Sequence, residues 1–424
     1  MDISRRTFTL AGLAATALAG CGGGSSSNTN LRLLNTNVSS PNALSLEVNG
    51  TVISSGVAFG QAGSYVSVGT DTNTVRVLDQ NGTAIYSSSF SLSGSSGPYT
   101  LVVAGFSGST HTTTLTENQS SAASSRAYLR ILDQCPDAGD VDIYMLGSGE
   151  TLSSATPLVS LSSITLAGYY TLNSGTYTLV VTGAGSRDDV RLTQSGITLA
   201  STSVQTLVLS SAAGGVLVDA TVVLQQSTVT SYRNTQSRLR VVSALPSQAV
   251  ASASVTSSGS AISLLSSLVS PAIGTYSLVA SGSLPVSLTL NGTTTSQTVA
   301  LTAGNDYTLL VYGDPASPQT TLLTDSNRLP TSSSTANVRL YHACGTSTAA
   351  TALSIGYVPI VSGVTLGSSA LGVLSNTPYS STQLTVSGGV SYSASDIAVA
   401  SNGLYSMFIM GSTASPVGQL YRER

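Results

Sequence analysis

The stretch Leu31-Arg32-Leu33-Leu34-Asn35 places apolar residues on both sides of an arginine, and related stretches recur three times along the chain. These are Leu129-Arg130-Ile131-Leu132-Asp133, Leu239-Arg240-Val241-Val242-Ser243 and Val338-Arg339-Leu340-Tyr341-His342. They follow one another at roughly 100-residue intervals, which is typical of tandem copies of one structural unit. Because side chains alternate between the two faces of a strand, each stretch predicts a strand with its arginine on one face and aliphatic residues on the other. Two interpretations of the arginines stay open: they are solvated, or they pair with a carboxylate or with carbonyl groups near the sheet edge.

A second recurring phrase is a glycine, a tyrosine two positions later, and then an aliphatic strand. It appears as Gly97-Pro98-Tyr99, Gly175-Thr176-Tyr177 and Gly274-Thr275-Tyr276, with variants that lead to Tyr307 and Tyr405. A glycine turn that feeds a tyrosine at a strand start is how the tyrosine corner of β-sandwiches is built. We therefore expect a structural role for these rings rather than a ligand-stacking platform.

Short runs rich in Val, Ile, Leu and Thr lie between these phrases and end at hairpin signals such as Asn81-Gly82 and Asn291-Gly292. The sequence shows no sustained helical periodicity after its first twenty residues. It therefore predicts an all-β chain of tandem immunoglobulin-like, Greek-key β-sandwiches with seven or so strands each. The predicted domains span residues 31–125, 126–235, 236–335 and 336–424.

Residues 1–20 have the parts of an export signal, with Arg5 and Arg6 followed by an apolar run. The run has ~12 residues, whereas a helix that spans a bilayer needs about 20, so we do not expect a permanent transmembrane helix. The stretch Ser4-Arg5-Arg6-Thr7-Phe8 resembles the twin-arginine signal. An ordinary secretory signal that carries two arginines is the alternative.

The stretch Leu18-Ala19-Gly20-Cys21 resembles the lipobox of bacterial lipoproteins. The resemblance implies cleavage before Cys21 and acylation of that cysteine, which would anchor the chain to a membrane because each buried CH₂ group contributes ~0.8 kcal/mol. Residues 21–30 have the composition of a flexible tether. The absence of Asp directly after Cys21 resembles outer-membrane sorting in hosts that have two membranes.

The repeat that begins at Arg130 continues with Cys135-Pro136-Asp137-Ala138 and Val141-Asp142-Ile143-Tyr144, and the repeat that begins at Arg339 continues with His342-Ala343. These stretches resemble domain-of-unknown-function family 4397, whose opening is typically R-x-x-H-A-x-P-D-A-x-x-V-D-V-Y. The resemblance implies tandem β-sandwiches in bacterial envelope lipoproteins and brings no known activity. Asn35 and Ser243 stand where the family has histidine, which argues against histidine-dependent chemistry shared by the repeats.

Charged residues make up only 8% of the 424-residue chain, and the net charge is −3. Nucleic-acid binding needs a basic stripe, which this sequence lacks, so we expect no nucleic-acid partner. Only two histidines occur, His111 and His342. Multi-histidine metal sites are therefore nearly excluded, and a Ser–His–acid triad has little support. We expect neither a cofactor nor enzyme activity.

One dense acidic group and two cysteines remain as candidate sites. The acidic group, a weak calcium candidate because Ca²⁺ prefers oxygen ligands, comprises Asp133, Asp137, Asp140 and Asp142. The family phrase already accounts for Asp137 and Asp142 as a turn and a strand start, so no metal is the favoured interpretation. Cys135 and Cys344 occupy equivalent repeat positions. They form a disulfide if the array folds back to bring their Cα atoms within about 7 Å, and otherwise stay free thiols.

These observations predict a lipid-anchored protein of the bacterial cell envelope, on the outer membrane if the host has two membranes. We expect it to act as a non-catalytic binding, adhesive or scaffolding module. Its expected partners are the membrane, through Cys21, and an envelope or surface protein or glycan. The alternative is a glycan-binding lipoprotein that uses tyrosines such as Tyr169 and Tyr170, and an envelope hydrolase is the third hypothesis.

Overall fold

A computed structural model describes residues 27–39, 43–106, 108–246, 248–346 and 348–424. Arg5 and Arg6 of the predicted export signal and the predicted lipid-attachment residue Cys21 lie outside the described residues. The first strand begins at Asn28, so the end of the segment predicted as a tether belongs to a strand. Its first residues pair with the strand that ends at Gly69.

The strands group into four successive units, each built from two sheets that pack face to face. Unit 1 contains β1 (Asn28–Asn37), β2 (Leu44–Val48), β3 (Thr51–Val57), β4 (Val66–Gly69), β5 (Thr72–Leu78), β6 (Ala84–Ser91), β7 (Tyr99–Phe106) and β8 (Ser109–Thr116). Unit 2 contains β9 (Arg126–Gln134), a short 3-10 helix (Pro136–Ala138), β10 (Val141–Leu146), β11 (Val159–Leu161), β12 (Thr165–Leu166), β13 (Tyr170–Asn173), β14 (Gly175–Gly183), β15 (Ser186–Leu199), β16 (Val204–Ser211), β17 (Val218–Leu224) and β18 (Val229–Tyr232).

The second half of the chain follows the same plan. Unit 3 contains β19 (Gln236–Ser243), β20 (Val250–Ser257), β21 (Ser260–Val269), β22 (Ala272–Ile273), β23 (Ser277–Ala280), β24 (Gly282–Leu290), β25 (Thr293–Leu301), β26 (Asp306–Asp314) and β27 (Ser317–Asp325). Unit 4 contains β28 (Ala336–His342), β29 (Thr351–Ile355), β30 (Val358–Val364), β31 (Ser368–Leu374), β32 (Tyr379–Gly388), β33 (Tyr392–Val399), β34 (Leu404–Ser412) and β35 (Ser415–Arg422).

Unit 1 shows the topology that all four units share. One sheet has the order β4-β1-β7-β8 and the other has the order β3-β2-β5-β6. The first strand lies parallel to the seventh, with Leu31 opposite Tyr99. The corresponding parallel pairs are β9 with β16, β19 with β26, and β28 with β34. This arrangement confirms the predicted all-β fold of tandem sandwiches, with strands in crossed order between two sheets.

In each unit, the sheet that contains the arginine strand is buried on both faces along its central strands. In β1, Leu31 and Leu33 point into the sandwich core beside Leu101 of β7. The alternate residues of β1 and β7 are buried as well, so the other face of this sheet is also covered. We call this the inner sheet of each unit, and the sheet that begins with the second strand of the unit the outer sheet.

The tyrosine corners predicted from the glycine phrases form at four of the five tyrosines, where the hydroxyl bonds a nearby backbone group. The bonds join Tyr99 to both backbone groups of Ser93, Tyr177 to the Asn173 carbonyl, Tyr307 to the Thr302 amide, and Tyr405 to the Ala400 amide. The prediction is wrong for Tyr276, whose hydroxyl instead donates to Asp325 Oδ2 over 2.7 Å. Its phrase precedes the short β23 at the edge of the inner sheet, where the ring faces an arginine rather than a corner.

Candidate functional site

The recurring arginines of the four inner sheets are buried, each with 5% or less of its surface exposed. These strand arginines are Arg32, Arg130, Arg240 and Arg339. They point away from the sandwich cores because their aliphatic neighbours along each strand point inward. Of the two open interpretations, the structure shows the paired one.

Each strand arginine lies opposite a hydroxyl residue on the parallel neighbouring strand. The opposed pairs are Arg32 with Thr100, Arg130 with Thr206, Arg240 with Thr308, and Arg339 with Ser406. In the three threonine pairs, the arginine Nε donates to the hydroxyl over 2.8 Å. In unit 4, the Ser406 hydroxyl is buried without a hydrogen-bond partner among the described residues. The inner sheets thus repeat one polar arrangement on the face opposite the sandwich core.

A third member of the arrangement lies at the end of the antiparallel strand that follows. Glu117, Asp325 and Glu423 occupy this position in units 1, 3 and 4, and Gln225 occupies it in unit 2. In unit 1, Arg32 Nη2 contacts both carboxylate oxygens of Glu117, at 3.0 and 3.2 Å. A buried charge is tolerated when it is paired and hydrogen-bonded, as Arg32 is by Glu117 in unit 1.

Units 3 and 4 exchange these partners across their interface. Arg240 of unit 3 binds Glu423 of unit 4 at 2.8 Å, and Arg339 of unit 4 lies 3.4 Å from Asp325 of unit 3. The Tyr341 hydroxyl accepts from both arginines, at 3.2 and 3.0 Å, and donates to Asp325. These ion pairs therefore join two units instead of lying within one sandwich.

An apolar cluster surrounds this exchange. It comprises Val242, Ala244, Leu310 and Tyr312 of unit 3 with Tyr341, Ala343, Phe408 and Met410 of unit 4. The rings of Tyr341 and Phe408 stack with centroids 4.4 Å apart. These side chains lie two or four residues after the arginine or hydroxyl position of their strand, so they share its face, and the packed surface is the outward face of each inner sheet.

Units 1 and 2 pack through the corresponding faces. Arg32 Nη1 donates to the Ser227 carbonyl of unit 2 over 2.7 Å, and Arg130 Nη2 donates to the Thr116 carbonyl of unit 1 over 2.5 Å. The apolar cluster between them comprises Leu34, Val102 and Leu115 of unit 1 with Leu132, Val208 and Val223 of unit 2. The array is thus built from two pairs of sandwiches, 1 with 2 and 3 with 4.

The two pairs meet at the 3-10 helix of unit 2. The Asp137 carboxylate accepts from Arg328 Nη1 at 2.7 Å and from the Leu329 amide at 3.0 Å, both in the segment between units 3 and 4. The Arg328 guanidinium also lies 4.2 Å from the centroid of the Phe106 ring in unit 1. Asp137, part of the P-D-A stretch of the sequence, is therefore a contact between the two pairs.

A tyrosine ring lies against each of the four strand arginines, and in unit 4 the distance from Arg339 to the centroid of the Tyr341 ring is 5.6 Å. Arg32 lies over Tyr65, Arg130 over Tyr169 and Arg240 over Tyr276, with distances from the guanidinium carbon to the ring centroid of 4.5, 4.9 and 4.3 Å. A cation over an aromatic face is attractive at this distance. Tyr169, a candidate for glycan stacking, is therefore engaged with Arg130, and it also contacts Tyr128 at a centroid distance of 6.2 Å. Its neighbour Tyr170 lies in the edge strand β13 and is half-buried.

The four aspartates of the calcium candidate are not gathered around one point. Asp133 is buried and accepts from the Cys135 amide, whereas Asp137 binds Arg328. Asp142 accepts from Ser160 and from the Gly185 amide, and Asp140 is exposed. In the part of the chain that the structure describes, no group of three His, Cys, Asp or Glu residues could hold a metal ion.

Cys135 and Cys344 are both free and buried. Cys135 lies in the sandwich core of unit 2 and Cys344 in that of unit 4, so the walls of two sandwiches separate them. Burial raises the pKa of the Cys344 thiol to about 11 and that of Cys135 well above its usual value. Of the two alternatives, the structure shows free thiols, and both are held in the unreactive protonated form.

The two histidines belong to separate units. His111 of unit 1 lies 3.3 Å from the Gln134 carbonyl of unit 2, measured from Nε2, and His342 is buried in β28. Burial lowers the pKa of both imidazoles below the usual value. Within the described ranges, no helix has the length and apolar character to span a bilayer.

The outer sheets carry rows of hydroxyl side chains. Cross-strand hydroxyl pairs include Thr289 with Thr294 at 2.8 Å and Thr72 with Ser91 at 3.0 Å. On the outer sheet of unit 3, a shallow groove of about 280 Å³ is lined mainly by serines, among them Ser252, Ser263 and Ser287. These surfaces are uncharged and rich in hydrogen-bonding groups that can both donate and accept.

Comparison with known proteins gives a family and several distant structures. A structure of a proposed cell adhesion protein from Bacteroides uniformis is 12% identical, with a TM-score of 0.22, and the match covers 47% of this chain and 97% of that one. A second proposed cell adhesion protein, from Bacteroides ovatus, is 10% identical with a TM-score of 0.20, covering 49% and 96%. The Bacillus anthracis TIE protein is 8% identical with a TM-score of 0.15, covering 92% and 76%. No curated protein matches the chain.

The family model named Domain of unknown function (DUF4397) matches residues 29–144 and 237–356, together more than half of the chain. The first match begins with β1 and the second with β19, so each starts at the first unit of a pair. Each match then extends into the next unit of that pair. The chain therefore belongs to the DUF4397 family.

Proposed function

We propose that this protein is a lipid-anchored module of the bacterial cell envelope that binds a surface partner without covalent chemistry. The observation that carries the proposal is that the inner sheets are buried between units whereas the outer sheets face outward. The inner sheets hold the units together in pairs through the buried strand arginines and their apolar neighbours. The outer sheets, with their hydroxyl rows, are left as the extended surface that a partner can contact.

Anchoring through Cys21 is the part of the proposal that fixes the location. Its support is the sequence around Cys21 and the export signal with Arg5 and Arg6. Metabolic labelling with a palmitate analogue tests it, with Cys21→Ala as the variant. We expect label and membrane retention in the wild type and neither in Cys21→Ala. Equal labelling of the two proteins would overturn the anchor.

Glycan recognition is the second candidate, and the serine-lined groove of unit 3 is the observation that favours it. Its hydroxyls suit hydrogen bonding to sugar hydroxyls, although no aromatic side chain of the described residues lines the groove. A glycan array tests it with Ser263→Trp, which fills the groove, and Ser332→Trp, at an exposed serine between units, as the matched control. We expect binding to be lost only in Ser263→Trp. Binding that survives this substitution, or no binding at all, would leave a protein partner as the proposal.

A further inference from the structure

Units 2, 3 and 4 meet around a small cavity whose walls are rich in arginine. The cavity has a volume of about 100 Å³ and is lined by Arg191 of unit 2, Arg238 of unit 3 and Arg424, which follows β35. A wider cleft of about 500 Å³ lies beside it, and the two share Asp189, Arg238, Tyr276 and Glu423. Three guanidinium groups from three units therefore converge on one space.

The carboxylates nearby do not balance all three charges. Arg191 binds Asp189 at 2.7 Å, and Arg238 binds Asp306 through two hydrogen bonds of 2.7 and 2.5 Å. The carboxylate of Glu423, which also lines the cavity, is taken by Arg240.

Of the three arginines that line the cavity, Arg424 is the one without an ion pair in the described ranges. It donates to the Asp137 backbone carbonyl, and no ion pair joins it to another residue in the described ranges. The Arg424 guanidinium, at the junction of three units, therefore has no side-chain carboxylate within ion-pair distance among the residues that the structure describes.

Two further observations concern the charges around the cavity, whose lining also includes the carboxylates of Asp189 and Glu423. Arg191 Nε is buried and has no hydrogen-bond partner in the part of the chain that the structure describes. Burial, together with the charges of Arg191 and Arg238, lowers the pKa of Arg424 to about 10, although the carboxylates of Asp137 and Asp189 act in the opposite direction. Like charges held close together in a poorly solvated space repel each other unless an anion lies between them.

We propose that the cavity binds one tetrahedral oxyanion of the phosphate or sulfate class, which joins units 2, 3 and 4. The volume suits this ligand, because a water molecule occupies about 30 Å³ in the liquid and the cavity holds only a few. Guanidinium groups match the geometry of such oxyanions through paired N–H donors. The adjoining cleft has room for the substituent of a phosphate monoester.

The test is equilibrium binding of inorganic phosphate and of sulfate to the protein expressed from the full chain, at constant ionic strength. Arg424→Gln removes the guanidinium that has no side-chain ion pair in the described ranges, and Arg187→Gln removes an exposed arginine of unit 2 as the matched control. We expect one site per chain, affinity about tenfold weaker in Arg424→Gln, and unchanged affinity in Arg187→Gln, since a charge-assisted hydrogen bond is worth at least that factor. Equal affinity in wild type and Arg424→Gln would overturn the proposal.

A second measurement needs no variant. A ligand that binds only the folded state raises the midpoint of thermal unfolding. Sulfate should therefore raise the midpoint of the wild type relative to chloride at equal ionic strength, and an identical midpoint in the two salts would overturn the proposal. Glycerol phosphate serves as a third ligand: tighter binding than inorganic phosphate identifies an ester, and equal or weaker binding identifies the free ion. None of these results depends on the anchor or on a surface partner.

Discussion

Arg240 and Glu423 lie 2.8 Å apart although they belong to different sandwiches, and both are almost completely buried. Their equivalents in unit 1, Arg32 and Glu117, pair within one unit. The same two positions of the repeat thus serve either the unit itself or its neighbour. The pairing of units follows from which partner each arginine takes.

Replacing Arg240 with methionine should destabilise the protein strongly. The change leaves the Glu423 carboxylate buried without its partner, which typically costs 3–5 kcal/mol. Arg76→Met is the control, because Arg76 pairs with Glu47 at a half-exposed position where such pairs contribute about 1 kcal/mol or less. Urea unfolding of both variants measures the difference. Similar losses in the two would show that the Arg240 pair does not stabilise the interface.

The hydroxyl opposite the strand arginine should matter in unit 1 and not in unit 4. Thr100→Val leaves the Nε of Arg32 without its acceptor, and an unpaired buried donor costs about 1–3 kcal/mol. Ser406→Ala removes a hydroxyl that has no partner among the described residues, so we expect a change within about 0.5 kcal/mol. Denaturant unfolding of the two variants checks this. Equal effects would contradict the role given to the threonine.

Asp133 should make the protein less stable as the pH rises from 4 to 7. Burial raises the pKa of its carboxyl group to about 7, whereas in the unfolded chain it is about 4. Between these values the folded protein holds a proton that the unfolded chain has released, so folding loses up to about 1.4 kcal/mol per pH unit. Below pH 4 this loss is absent, and above pH 7 it is complete.

The variant Asp133→Asn removes this titration. We expect the unfolding free energy of Asp133→Asn, relative to the wild type, to increase between pH 5 and pH 8. Asp219, whose pKa burial raises to about 6, titrates with the same sign in both proteins and cancels in the comparison. A difference between the two proteins that does not change with pH would contradict the assignment to Asp133.

Tyr357 should be replaceable by glycine with a gain in stability. It is 86% exposed at the tip of the β29–β30 hairpin, with a φ of +64°. The equivalent position in units 1 and 3 is occupied by Gly50 and Gly259, which adopt the left-handed conformation without strain. A side chain there costs roughly 1 kcal/mol, so Tyr357→Gly should stabilise the folded state by about that amount. Gly259→Tyr should have the opposite effect, and calorimetry of the two variants together would show whether the strain is real.

Much of the fold follows from local sequence. The period-two pattern around Arg32 and its three equivalents predicts the first strand of every unit, because alternation alone decides which residues enter the core. The glycine phrases are local signals too: the glycine predicts a turn, and the tyrosine with the aliphatic residues after it predicts the start of a strand. They do not predict which strand follows: the phrase at Tyr99 begins β7, the one at Tyr177 begins β14, and the one at Tyr276 precedes β23. Strand order depends on pairings between residues far apart in the chain.

The sequence could not predict which groups the strand arginines bind, because those groups include residues of neighbouring units. A solvated strand arginine and a buried one give the same alternation, and Glu423 lies 183 residues after Arg240. One signal was present in the sequence: a hydroxyl residue follows the tyrosine at Thr100, Thr308 and Ser406. Its repetition in three units indicates a polar partner on the face opposite the core.

The parallel pairing of β1 and β7 has a mechanical consequence. Residues Leu31 to Asn37 are matched one for one with Tyr99 to Gly105, and both strands are buried on both faces. A force that pulls on the chain ahead of Asn28 runs along β1, so the hydrogen bonds of this ladder are loaded together and must slide past one another at once. A hairpin pulled from its open end would unzip one bond at a time. If the protein is held at Cys21 while a partner pulls on its far end, the first unit is arranged to stay folded under tension.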